Sequence, residues 1–352
     1  MVKISLNDKV TKLKEKSKAK NTQDKYQGDW LKFIDYCHDK YKCSPLDVDD
    51  MDSAYALTAN YMDWLHEDPE AKILKGTSNI PGREKVNNNP YSSTAYKAST
   101  IQRILASITY KYRVNGFQFD RKNPNISETI SAIVRDEKNN KSGQAKELLK
   151  KDIEKIIDNI PKDNDDIRNI RDKALILVGF YSFCRRSELL GMKFEHLNFE
   201  EDGIQVLIPF SKTDQKGEGR MIYLPRNDTT YCPVKALKNW LESALIDIGP
   251  LFYKINKANN IEKYILNNKN QKVSLTDTSF VLILKKRAQE AGLDNCDKIS
   301  GHSLRIGSIT QARMNGVPTH EIMAQSGHKT TQMIDRYTKL TNIKETSAAK
   351  KL

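Results

Sequence analysis

The sequence has no apolar run near the ~18 residues that a membrane-spanning helix requires, so no such helix is expected. Its start, MVKISLNDKVTKLKEKSKAK, has no apolar core, and a secretory signal is not expected. The five cysteines (37, 43, 184, 232 and 296) are odd in number and scattered, which argues against a disulfide framework and suits reduced thiols inside a cell. Cys37, His38 and Cys43 lack the paired spacing of a zinc site, so those thiols are expected to be buried and no metal is expected. No internal repeat is present.

The chain does have length and positive charge. Its 352 residues exceed the usual single-domain core, so two domains are expected. The net charge of +13 favours a polyanionic partner. That charge is uneven. Residues 1–20 hold seven lysines against Asp8 and Glu15, residues 21–135 are neutral, and residues 136–352 carry the remaining +8.

Helical periodicity dominates. Tyr26, Trp30, Phe33, Ile34 and Cys37 repeat as one apolar face, with Thr22 as a candidate cap, and a second run covers about 51–66. Residues 67–91, with Pro69, Gly76, Pro81 and Gly82, read as a long loop. A third helix is predicted from a cap at Ser99–Thr100, with Ile101, Ile104, Leu105 and Ile108 inward. A short fourth follows Pro124. DEKNNKSGQAK has no large apolar residue and reads as a linker. Beyond it, ELLKKDIEKIIDNI and DKALILVGFYSFC are helical, and helices return at 233–247 and 277–291. GIQVLIPFSKTD and GRMIYLP predict one β-hairpin. The expected organisation is a basic arm at 1–20, a helical domain at 21–135, a linker at 136–146, a second, mostly α domain at 147–340 with a small antiparallel sheet, and a tail at 341–352.

Residues 301–339 concentrate the chemistry. His302 and Arg305 are three apart and share a helical face, His328 follows Gly327, and Tyr337 lies nine residues further on. Upstream, FCRRSELLGMKFEHL sets Arg185 and Glu188 three apart, and Lys212 sits in SKTD at a strand end. Two arginines, two histidines, a lysine and a phenol suit the gripping of a phosphodiester while the phenol attacks it. An anionic diester repels an anionic nucleophile unless its charge is offset. Guanidinium forks can hold its nonbridging oxygens and stabilise a pentacovalent transition state. A free tyrosine has a pKa of about 10, so nearby guanidinium groups help its proton leave.

In these motifs the chain resembles the tyrosine recombinase (phage integrase) family. The family's Gly/Leu-Leu-Arg-x-Ser/Ala-Glu-Leu stretch matches Phe183–Leu189, its His-x-Leu-Arg box matches His302 and Arg305, its Gly-His or Gly-Trp box with a tyrosine nine residues on matches Gly327, His328 and Tyr337, and its hairpin lysine matches Lys212. The resemblance implies a mainly α protein, an N-terminal helical domain (21–135) closing on DNA as a clamp with a catalytic domain (147–340). It implies a site-specific DNA recombinase that works through a 3′-phosphotyrosine without cofactor, metal or ATP. Tyr337 is then the nucleophile, Arg185 and Arg305 the phosphate grip, Lys212 the general acid, His302 and His328 phosphate-bonding and proton-handling groups, and Glu188 an orienter of Arg185 or His302. Lys216 lies in the same turn as Lys212.

The implied partners are double-stranded DNA with inverted-repeat sites and three further copies of the chain in a homotetramer. The implied setting is intracellular, with DNA, on behalf of a mobile or viral element. Residues 341–352 form either a subunit-docking helix or a frayed end. Arg186, Gln102, Arg103, Lys111 and Arg113 are candidate DNA contacts or a solvated face, and His196 and His320 read as structural or exposed. A type IB topoisomerase or hairpin-forming resolvase shares this chemistry, and a DNA-binding protein without catalysis is the remaining alternative.

Overall fold

The computed structural model describes residues 20–67, 96–139, 145–161, 166–209, 219–262 and 274–338, without the side chains of 20, 21, 137–139 and 336–338. The loop expected at 67–91 (from residue 68 onward), the basic arm at 1–19, Lys212, Lys216 and the tail lie outside these residues. By chain contacts the protein divides into Met1–Ser142 and Gly143–Leu352.

In the first unit the apolar periodicity becomes four helices: α1 (Lys20–Tyr41), α2 (Met51–Glu67), α3 (Ala98–Val114) and α4 (Pro124–Asn139). Their inward faces meet in an aromatic core. Tyr112 stacks on Phe119 at 4.9 Å with ring planes 4° apart, and the edge of Trp30 meets Tyr112 at 5.6 Å. Such ring pairs add specific geometry to the burial of large apolar surfaces. Two starts differ from expectation. Helix α1 begins at Lys20, so Thr22 lies within it, because KNTQ contains nothing that breaks a helix. Helix α3 begins at Ala98 behind Lys97, which makes no side-chain cap bond, so Ser99 and Thr100 belong to its first turn. Burial of Ala98 together with Ile101 starts the inward face early. The expected short fourth helix runs to Asn139, into the polar segment beginning at 136, because nothing in DEKN stops it.

The second unit is built around one helix. Helix α5 (Lys150–Asn159) leads to α6 (Ile167–Tyr181), whose residues Ala174–Phe180 are all buried, as befits a helix that is apolar around its whole circumference. Asp166 caps α6 by accepting from Arg168 N at 3.0 Å. After the short α7 (Arg186–Leu190), three strands, β1 (Leu197–Phe199), β2 (Gly203–Ile208) and β3 (Arg220–Pro225), form an antiparallel sheet in that order. Ile208 lies opposite Arg220, so β2 and β3 are in register where the hairpin turns. Sequence alternation found β2 and β3. It missed β1 and the two-residue pair β4 (Lys254–Ile255) and β5 (Ile261–Glu262), which are too short to alternate.

Helix α8 (Pro233–Ser243) packs Trp240 into the core, where its indole N–H donates to Leu251 O at 2.7 Å. Helix α9 (Asp277–Glu290) is tied to α6 by a buried ionic cluster. Arg287 Nε donates to Asp172 Oδ2 at 2.7 Å, its Nη2 to Asn169 Oδ1 at 2.6 Å and its Nη1 to Glu290 Oε2 at 3.0 Å. Arg171 completes the cluster from the other side of Asp172 at 2.6 Å.

The last three helices, α10 (Ser303–Met314), α11 (Thr319–Ser326) and α12 (Thr331–Thr338), share a small core of Ile309, Ala312, Ile322 and Ile334. Helix α10 lies so close to the segment entering α5 that a Cβ at Gly307 would overlap the carbonyl of Leu148. Backbone cannot yield as a flexible side chain can. Gly307→Ala is therefore expected to destabilise the protein by about 3 kcal/mol, the upper end for overpacking, seen as a lower urea midpoint at unchanged slope.

Candidate active site

The site begins where α6 stops. Phe183, with φ 54°, takes a left-handed backbone that is costly for a non-glycine residue, at the place where the resembled motif admits glycine. That turn delivers Arg185 to the start of α7. Glu188, one turn on, closes the helix end by accepting from Arg185 N at 2.9 Å through Oε2 and from Arg185 Nη1 at 2.7 Å through Oε1. The Glu188 side chain is 2% exposed and that of Arg185 15% exposed. Of the two orienting roles open to Glu188, the one toward Arg185 is the one with hydrogen bonds.

Arg305 reaches the same place from α10, 4% exposed. Its Nη1 donates to Phe183 O at 2.7 Å and to Ser326 O at 2.9 Å, and its Nη2 lies 2.9 Å from His328 Nε2. A guanidinium only donates, so Nε2 accepts, and the Nδ1 proton then goes to Ser326 Oγ at 2.8 Å. This tautomer is a neutral imidazole. Burial pushes the pKa of His328 down to about 4, and Arg305, Arg185 and Arg220 push it in the same direction. Gly327, with φ 69°, ends α11 in the left-handed region and turns His328 inward.

An unfolded histidine titrates near 6.5. Between that value and about 4, the unfolded chain holds a proton that the folded chain lacks at His328. The stability this histidine contributes is complete above 6.5 and is lost as pH falls through the folded value. Urea midpoints at pH 7 and pH 5 should therefore differ, with the lower at pH 5, and His328→Asn should shrink the difference. His302 and His196, also shifted down by burial, contribute to what remains.

His302 is the residue just before α10 and is exposed, whereas Arg305 is buried, so the expected shared face is a shared approach from the helix start. Partial burial lowers its pKa, followed by Arg186, Arg305 and Arg185. Tyr337 is placed in the last turn of α12, eleven residues after Ser326, and its side chain is outside the described set.

The candidate DNA contacts are placed as follows. Arg186 Nη2 pairs with Asp277 Oδ2 at 2.5 Å and its side chain packs on Gly301, so it is engaged within the protein. In the first unit Arg103 pairs with Asp29, and Lys111 Nζ donates to Gln27 Oε1 at 2.7 Å, both bonds bracing α3 on α1. Gln102 and Arg113 are exposed. His196 bonds Lys193 N through Nδ1 at 3.3 Å, His320 is exposed, and all five cysteines are free, four of them buried. Among the described residues no group of acidic, histidine and cysteine side chains is arranged to hold a metal, and no helix is long and apolar enough to cross a membrane.

One basic residue of this site was not expected. Arg220 Nη2 lies 3.1 Å from Glu188 Oε2 and 3.6 Å from Cys184 Sγ. A lone arginine at the first position of a strand reads as solvated, and only the tertiary fold brings it here. Three guanidinium groups thus surround one buried carboxylate, a formal excess of two positive charges. That arrangement can accept an anion with at least two nonbridging oxygens.

A model of the phage integrase family matches residues 146–343. The chain is 31% identical over 352 residues to the integrase/recombinase xerD homolog of Selenomonas ruminantium, covering 99% of this chain and 89% of that protein. It is 24% identical over 249 residues to the tyrosine recombinase XerA of Pyrococcus furiosus, covering 70% of this chain and 71% of that one. Among solved structures, XerH site-specific recombinase in a post-cleavage complex with palindromic difH substrate aligns with TM-score 0.59 at 17% identity over 97% of this chain and 82% of that one. A lambda integrase (75–356) dimer bound to a COC′ core site aligns with TM-score 0.51 at 14% identity, covering 94% and 93%. These two likenesses concern the fold.

Proposed function

The chain belongs to the phage integrase family and is a tyrosine site-specific recombinase, and on that premise we propose that Tyr337 cuts one DNA strand at a phosphate held by Arg185 and Arg305. The phenolic oxygen bonds to phosphorus as the P–O5′ bond breaks. The tyrosine proton leaves to solvent or a neighbouring base, and the departing 5′-oxygen takes a proton from Lys212. The product is a 3′-phosphotyrosyl link and a free 5′-hydroxyl. One phosphodiester replaces another, so a 5′-hydroxyl from a second duplex can reverse the step with no energy source.

The observation that carries this reading is the meeting of Arg185 and Arg305, 120 residues apart in sequence, around a carboxylate they outnumber. Charge held in place before substrate arrives is the main way a protein stabilises an anionic transition state. His328, neutral at physiological pH by its lowered pKa, accepts from Arg305 Nη2 and so steadies that guanidinium toward the phosphate without adding to the charge already present. His302 bonds a phosphate oxygen from the rim, and Glu188 orients Arg185.

The substrate is double-stranded DNA with inverted-repeat sites. Exchange between two duplexes cuts four strands, one tyrosine to each, which calls for a homotetramer. The protein acts inside the cell, in the integration, excision or resolution of a mobile or viral element. Its named relatives are recombinases and integrases, which favours this reading over a topoisomerase or a DNA-binding protein without catalysis.

The test uses a duplex site that the protein itself selects from random-sequence DNA, nicked just beyond the cleavage point so that the short released strand diffuses away. A detergent-stable protein–DNA adduct, joined to the 3′ side and formed in chelator without ATP, is the expected result. Binding without adduct at any nick position would overturn it.

A further inference from the structure

We propose that Arg220 is a positioning residue of the cleavage site, holding one oxygen of Glu188 so that Arg185 keeps donors for the phosphate. The inference rests on the roles proposed above for Arg185 and Tyr337. Arg220 opens β3, opposite Ile208, and reaches away from the sheet to Glu188 Oε2 at 3.1 Å. Arg185 bonds the other oxygen, Oε1, with a single nitrogen. An arginine facing a carboxylate ordinarily closes a two-pronged fork on both oxygens. Here Oε2 is already shared by Arg220 and by the backbone N–H of Arg185, so the fork stays open. The remaining guanidinium nitrogens of Arg185 are thereby kept from Glu188.

A purely structural arginine looks different, and the same unit supplies one. Arg287 spends all three of its guanidinium nitrogens on carboxylate or amide oxygens. Arg220 spends Nη2, while its Nε and Nη1 are buried with no hydrogen-bond partner among the described residues. Its side chain is 16% exposed. Leaving buried donors unmade costs stability, so a residue kept only for the fold would gain by replacement. The surplus donors and surplus charge suit a site that is completed by an anion.

Arg220 also sets the second half of the site. A Cβ at residue 327 would come within 2.8 Å of Arg220 Nε, so the glycine before His328 allows this arginine to pass. Through that contact Arg220 supports the turn presenting His328, and its charge is one of those holding that imidazole neutral. Glu188 on α7 and the Gly327–His328 turn are therefore keyed to one side chain from the sheet.

The test compares Arg220→Gln and Arg220→Lys with the unaltered protein by single-turnover cleavage of the selected nicked duplex, once with its ordinary phosphodiester and once with an uncharged methylphosphonate at the cleavage point. On the ordinary substrate Arg220→Gln is expected to cleave about 10- to 100-fold more slowly, the range seen when a supporting partner is removed, with DNA affinity nearly unchanged. On the methylphosphonate, which has less charge to offset, the loss should shrink to a few-fold. Combined with Glu188→Gln, which removes the carboxylate that would close the fork, Arg220→Gln should cost less than it does alone. Arg220→Lys should fall between, and the urea midpoint of Arg220→Gln should stay level or rise. Equal fractional losses on both substrates, a cost undiminished by Glu188→Gln, or a midpoint that falls together with cleavage would overturn the assignment. Absence of any adduct with the unaltered protein would instead overturn the proposed function, and this assignment with it.

Discussion

Tyr337→Phe is expected to bind the selected duplex as well as the unaltered protein does and to form no detergent-stable adduct. The change removes one oxygen and leaves the ring, so α12 keeps its anchor at Ile334, which is fully buried. The lost oxygen is the atom that would bond to phosphorus. The rate should fall by on the order of 10⁶, the scale seen when a catalytic nucleophile is deleted. Gel-shift and adduct assays on the same preparation separate the two effects. Any substantial adduct from the Phe variant would move the nucleophile elsewhere in the chain.

Arg305→Ala should damage catalysis and folding together, whereas Arg185→Ala should damage catalysis alone. Each removes a cation from the developing transition state, worth about 10²–10³ in cleavage rate by analogy with the loss of a single preorganised donor. Arg305 is also a structural bracket. Its Nη1 joins the carbonyl of Phe183, at the end of α6, to that of Ser326, at the end of α11. Truncation leaves two inward-facing acceptors short of a donor, at about 1–3 kcal/mol each. The side chain of Arg185 has Glu188 as its partner, which keeps Arg220 in reserve. Urea unfolding of the two variants should show a clear drop for Arg305→Ala and a small one for Arg185→Ala. Equal drops would mean that the carbonyl bonds contribute little.

The parts of the site legible in the sequence are those whose geometry is local. Arg185 and Glu188 are one helical turn apart and hydrogen-bond, and Gly327 and His328 are neighbours, so local spacing suffices to bring each pair together. Local pattern also found the inward faces of α1, α2, α3 and α6. What it missed depends on partners far away along the chain. Arg220 meets Glu188 across 32 residues, Arg287 meets Asp172 across 115, and Arg186 meets Asp277 across 91. A charged side chain whose partner is distant looks like solvated surface until the fold is known. Helix starts were misplaced for a related reason. Polar residues such as Ser99 and Thr100 are good caps, but burial of Ala98 pulled the helix past them.

The two carbonyl oxygens that grip Arg305 have a further consequence, which concerns entropy. A long flexible side chain that is free in the unbound protein loses roughly 1.5–2 kcal/mol of rotamer freedom when a ligand immobilises it. Arg305 surrenders that freedom when the chain folds, because Phe183 O, Ser326 O and His328 already define where its fork lies. DNA therefore meets a guanidinium whose conformational search is over. Less of the encounter's free energy goes into ordering the protein, and more remains for distorting the diester toward its five-coordinate form.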